Sequence, residues 1–268
     1  GARTIIVRNN LNVASGASVN VASFASTHSL SLYGNLVVNG SFDMVQTFPG
    51  NVCNVTFMGA TSNTVTGSGA TCNFNQITVN KGASAANIID VQRAFTMSSP
   101  TAASNFLTIN NGTFELSGTS AVSITPYFGS QTISAANGRL WINNPNASVS
   151  CVGTMTTASG VPTVTGILQV TQGVFAYGSG NDVMTLNAAT SNLTIDGGTV
   201  NMYGGAAFTA TSQFNMTSGS FNLDPQAFDN LAAGTSILNF SSTNAANAVT
   251  FTGGTLTIVD PHSTSGGG

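Results

Sequence analysis

Charge is what this sequence most lacks. Five basic residues (Arg3, Arg8, Lys81, Arg93 and Arg139) and eight acidic ones make up 5% of its 268 residues, against about 25% in ordinary soluble domains. Five scattered cations cannot neutralise a row of phosphates, which excludes nucleic acid as a partner and disfavours an anionic membrane surface. No apolar run reaches the roughly 18 residues of a transmembrane segment. The opening GARTIIVRNN has too short an apolar stretch for a secretory signal, which reads as a leader already removed or an internal segment.

The residues that chemistry needs are equally sparse. The only histidines, His28 and His262, have no acidic neighbour that would make a charge-relay pair. The acids are far apart in sequence; only Asp224 with Asp229 across a loop, and Asp182 with Asp196 on adjacent coils, offer to approach one another. Catalysis by carboxylates needs clustered acids, and a nucleotide site needs a glycine-rich fingerprint that is missing. The three cysteines, Cys53, Cys72 and Cys151, fall on the inward parity of their strands and read as small core fillers, with a Cys53–Cys72 bridge left open. Neither their spacing nor any glycine-rich calcium repeat points to a metal. The expectation is a protein that is not an enzyme, with no catalytic residue, metal or cofactor.

What the chain does have is order without charge. Apolar residues are 41% of the sequence, which excludes the low-hydrophobicity, high-charge composition of disorder, and they alternate. The stretch LTINNGTFELSG from Leu107 has a near-copy, LTIDGGTVNMYGG, from Leu193. Both follow apolar-x-apolar, a polar turn with glycine, then apolar-x-apolar. Matching copies centre on Gly112, Gly173, Gly198, Gly219 and Gly254, looser ones on Gly16 and Gly40, and one on Pro145. Alternation on both sides of a short turn means two short strands, and glycine at a fixed offset marks a crowded or left-handed backbone position.

From Gly112 the turn recurs at intervals of 33, 28, 25, 21 and 35 residues. Recurrence at that period is the signature of a solenoid, and each copy reads as one corner of a coil. The predicted fold is all-β: a right-handed parallel β-helix with irregular coils of about 21–35 residues, residues 1–260 forming one domain and 261–268 a Gly/Ser-rich tail. Asp224–Gly234 is the single plausible helix.

Strand parity places Thr, Asn and Ser on the outside, including the pairs Trp141/Asn143, Thr194/Asp196 and Thr113/Glu115. Ranks of Thr-x-Thr that would match an ice lattice appear only in the Gly254 copy. The lone tryptophan, Trp141, with Asn143, and more weakly Tyr33 and Tyr127, are candidate contacts for a glycan or a protein partner.

One segment, NVTFMGATSNTVTGSGATCNFNQITVNKG (Asn54–Gly82), resembles a unit that recurs in very large secreted surface proteins of the Bacteroidota, most closely from Thr64 to Gly82. The resemblance implies a β-solenoid adhesin region located outside the cell; the export signal and sorting domain of such proteins are missing, which reads as part of a longer chain. Neither end shows a polar cap, so the first strands, Thr4–Val13 with Thr4, Ile5, Ile6 and Val7, and the last, Leu256–Val259 with Leu256 and Ile258, are candidates for head-to-tail self-association. The expected role is an extracellular rod or filament subunit. A glycan-binding module, or a β-helix enzyme acting on carbohydrate, is the alternative.

Overall fold

In the computed structural model the chain is described over residues 1–21, 26–46, 51–97, 106–124, 132–151, 163–178, 183–225, 236–244 and 248–259. Those residues form strands that pair in parallel with the coil before and the coil after, on three faces of a β-solenoid. The short pairing of Val45–Gln46 with Asn51–Val52 is antiparallel.

The second face is an unbroken ladder. Its inward rank runs Leu11, Leu36, Val65, Val91, Leu116, Ile142, Val170, Ile195, Met216 and Phe251, each in register with the next. These ten rungs, at about 4.8 Å per spacing, make a column about 43 Å long. Successive partners are separated by as few as 21 residues (Ile195 to Met216) and as many as 35 (Met216 to Phe251). The expected range of coil lengths is therefore what the chain adopts.

Alternation makes the core. In Asn51–Met58 every second residue is buried, and Val55 and Phe57 are at most 1% exposed. β-Branched and aromatic side chains fit such a pleated, half-buried surface. Phenylalanines fill the wider interior: Phe42 and Phe95 each pack against Phe74, with ring centroids 5.5 and 5.7 Å away. Each fully buried side chain of this size contributes about 1.5–3 kcal/mol by leaving water. Cys53, Cys72 and Cys151 are buried free thiols, so no bridge joins Cys53 to Cys72.

Two expectations need correction. The Gly173, Gly198, Gly219 and Gly254 copies bend between the second and third faces, but the Gly112 copy bends between the first and second. The 33-residue step from Gly112 to Pro145 thus passes from one corner to another, while the coil there is 26 residues, Leu116 to Ile142. The corners look alike in sequence because they impose the same demand. At Gly112 φ is 82° and a Cβ would lie 2.4 Å from Lys81 Cβ; at Gly173 φ is 78° and a Cβ would lie 2.4 Å from the Asn144 carbonyl oxygen. Only glycine meets both conditions.

The second correction concerns the expected helix. No helix occurs among the described residues; most of Asp224–Gly234 lies outside them, and Asp224 has a left-handed φ of 47° that no helix continues through.

Candidate interaction surfaces

A solenoid hides its inward side chains only where another coil lies above them. In the last coil Val249, Phe251, Leu256 and Ile258 are in register with Phe214, Met216, Phe221 and Leu223. The four in the coil below are at most 1% exposed; the four in the last coil are 36–50% exposed. Phe240, stacked on Phe208 at 4.9 Å, is 39% exposed.

The other end is similar. Ile5 and Ile6 are 56% and 54% exposed. A cavity of about 290 Å³ opens there, lined by Ile5, Val7, Leu11, Val19, Val21, Leu30, Met44 and Cys53, with Arg3, Asn20 and His28 completing it. The stretch Thr4–Val13 forms two strands, Thr4–Val7 and Leu11–Val13, and Leu256–Val259 falls largely in the strand Thr255–Ile258. His28 has a structural partner, its Nδ1 accepting the Arg3 backbone N–H at 3.0 Å.

The flank offers a second surface. On the outside of the second face Thr64, Asp90, Glu115, Trp141, Gln169 and Thr194 form one rank, a residue per rung. Trp141 points outward as expected and is half-buried. Its Nε1 donates to Thr171 Oγ1 at 2.8 Å, and the Arg139 guanidinium lies 4.6 Å from its ring centroid, a cation–π contact. Arg139 also donates to Gln169 Oε1 at 3.2 Å, and Gln169 donates to Asp196 Oδ2 at 3.0 Å.

Thr113 and Glu115, expected outside, are instead buried, at 0% and 7% exposure. The large side chains of the next rung explain this: Arg139 Nε donates to Thr113 Oγ1 at 3.0 Å, and Trp141 lies in register with Glu115. Burial pushes the Glu115 carboxyl above the usual carboxylate range. The Asn143 amide, donating at 3.0 Å, opposes that push, and Asp90 on the rung below adds to it. Asp90 accepts from Ser117 Oγ and Gln92 Nε2, each at 2.6 Å. Asp90 and Glu115 are 25 residues apart, one coil, and a sequence read for nearby acids passes over them.

Two of the five cations lie inside the corners. Lys81 is fully buried, its ammonium donating to the Met58 carbonyl at 3.0 Å and to the Asn63 side-chain carbonyl. Burial lowers its pKa to about 8. Arg93 is 7% exposed and donates to the carbonyls of Val38 and Gly69, which belong to the two coils below. It stands two residues after inward Val91, the offset at which Gly67 and Gly118 follow Val65 and Leu116 on the adjoining rungs.

Of the predicted contact residues, Trp141 and Asn143 share the flank cluster. Tyr33 lies four rungs away, about 19 Å along the axis, half-buried with the Arg8 guanidinium 5.3 Å from its ring centroid. Tyr127, Asp182, Asp229 and His262 lie outside the described residues. Among the described residues no three His, Cys, Asp or Glu side chains gather as a metal site, and no helix is long and apolar enough to cross a membrane. Comparison of the chain with protein-family models, with curated proteins and with solved structures finds no match.

Proposed function

We propose that this chain is a non-catalytic structural element outside the cell: a β-solenoid rod of a surface adhesin, or a filament subunit that assembles through its solenoid ends. One observation carries the reading. Side chains at core positions of the last coil are a third to a half exposed, whereas the same positions one coil earlier are sealed. Apolar area of that kind, combined with open backbone hydrogen-bonding edges, is satisfied by another coil. The extracellular location follows from the Thr64–Gly82 resemblance to secreted Bacteroidota repeats.

Negative-stain electron microscopy and sedimentation of the 268-residue chain test this reading. Concentration-dependent rods one solenoid wide support the filament subunit; a species that stays monomeric at every concentration removes that arm and leaves the rod of a longer chain, which particles that are not elongated would refute.

The flank supports a second reading, a glycan contact. Trp141 is held by Arg139 and Thr171 and sits beside the amides of Asn143 and Gln169, which suits stacking on a sugar ring with flanking hydrogen bonds. Glycan-array binding that disappears in Trp141→Ala supports it, and an array without signal removes it.

A further inference from the structure

Charge is scarce in this chain, and on the second face it gathers around the single tryptophan. Of the ten Asp, Glu, Lys and Arg side chains among the described residues, four stand there together: Asp90, Glu115, Arg139 and Asp196. Glu115 and Asp90 occupy the first and second rungs below Trp141, in its own rank. Asp196 lies two rungs above it, two residues beyond Thr194. The strip from Asp90 to Asp196 covers four rung spacings, about 19 Å along the axis, with the indole at its middle.

Most of the polar groups on this strip are already engaged within the chain. The Arg139 guanidinium lies on the indole and donates to Thr113 Oγ1 and Gln169 Oε1. Asp90 takes its donors from Ser117 and Gln92, and Glu115 takes one from Asn143. The indole N–H is given to Thr171 on the next rung, so the ring leans up the axis. Asp196 differs. Its Oδ2 accepts from Gln169 Nε2 at 3.0 Å, while its Oδ1 is shielded from water and has no hydrogen-bond partner. Buried polar atoms are rarely left so, and only a donor satisfies a carboxylate oxygen.

A ligand suited to this strip stacks on the indole, brings a donor to Asp196 and is long enough to join the two, about 10 Å apart along the axis. Three carboxylates against one engaged guanidinium repel an anion. Asp90 and Glu115 already have donors from the chain, which leaves no open acid pair to hold an ammonium group. Deepening the flank reading above, and resting on it, we propose that this face binds an uncharged glycan several sugars long. The glycan lies along the solenoid axis, stacked on Trp141 and donating a hydroxyl to Asp196. Chains bearing uronate or sulfate groups are rejected by the same carboxylates.

The test is an array of oligosaccharides, from disaccharides to hexasaccharides, in uncharged, uronate- or sulfate-bearing and amino-sugar series. Signal is expected from the longer uncharged members. Calorimetry on the strongest of them should show binding at least about tenfold tighter than its disaccharide, and unchanged within about twofold between about 20 and about 500 mM sodium chloride. Asp196→Asn keeps the shape of the side chain and removes the charged acceptor, and it should weaken that binding about fivefold or more.

An array without any signal overturns the flank reading itself. Signal strongest for anionic or amino-sugar chains, equal affinity for disaccharide and hexasaccharide, or an Asp196→Asn variant that binds as the wild type does overturns this assignment and leaves Trp141 standing as a glycan contact.

Discussion

The titration of Lys81 gives the structure its most quantitative test. Its ammonium is fully buried with two neutral oxygens as partners, and burial brings its pKa from 10.5 to about 8. Between those values the unfolded chain holds a proton that the native protein has released, so stability rises with pH. The contribution is complete above 10.5 and is lost as pH falls through about 8. Integrated from pH 8 to pH 10 it amounts to about 2 kcal/mol.

The three buried thiols act in the opposite sense. Burial raises Cys53 and Cys72 from 9.0 to about 11 and Cys151 to about 12. Here the unfolded chain loses its protons first, so stability is present below 9 and is lost as pH climbs through 11 to 12. Together the thiols remove about 4 kcal/mol between pH 8 and 10.

The wild type should therefore lose about 2 kcal/mol over that interval, and Lys81→Met about 4 kcal/mol, because the compensating lysine is gone. Urea unfolding followed by circular dichroism at pH 8, 9 and 10 measures both. Stranding the Met58 and Asn63 carbonyls shifts the variant by an amount that does not vary with pH, so only the divergence of the two curves matters. Curves that run parallel within about 0.5 kcal/mol would show that Lys81 keeps its proton, and the buried-ammonium account would fail.

Other expectations follow from the corners and the core. Gly173→Ala meets both a left-handed φ and the Asn144 carbonyl at 2.4 Å, whereas Gly16→Ala meets the φ alone, with no atom within 4 Å. Each should lose about 1–3 kcal/mol for the backbone conformation, with Gly173→Ala losing clearly more by urea midpoint. Arg93→Met strips a charged donor from the Val38 and Gly69 carbonyls; the expected loss is about 3 kcal/mol, with Arg93→Lys recovering part of it. The native protein should not react with an aromatic disulfide reagent at pH 8, and the unfolded protein should release three equivalents, since all three cysteines are free and buried.

The architecture was legible because a solenoid repeats its instructions. Alternation sets which side chains face in, and the glycine offset sets where the path turns; neither needs long-range information. Contacts between rungs were not legible. Whether Glu115 lies under Trp141, or Asp90 beside Glu115, depends on coil lengths of 25 and 26 residues that only the strand register fixes. Parity assigned Thr113 and Glu115 to the outside and was right about direction, but it carried no knowledge that Arg139 and Trp141 would cover them. Arg93 sat at the offset of a corner glycine in plain view, yet an arginine there reads as solvated until its acceptors two coils down are known.

The flanks help to explain why the ends are where association is expected. Outward amides bond to one another between rungs: Asn75 to Asn54 at 2.7 Å, Asn111 to Asn80 at 2.9 Å, Asn215 to Asn192 at 3.1 Å and Asn222 to Asn201 at 2.9 Å. A side wall built this way meets much of its hydrogen-bonding demand internally and carries little charge, so it neither steers nor strongly binds a neighbouring rod. At each end the described residues combine open strand edges with exposed core side chains. Among the described residues those two features coincide nowhere along the sides. Growth that adds coils along the axis hides both of them together, whereas lateral packing hides neither, so a polymer of this chain should lengthen before it thickens.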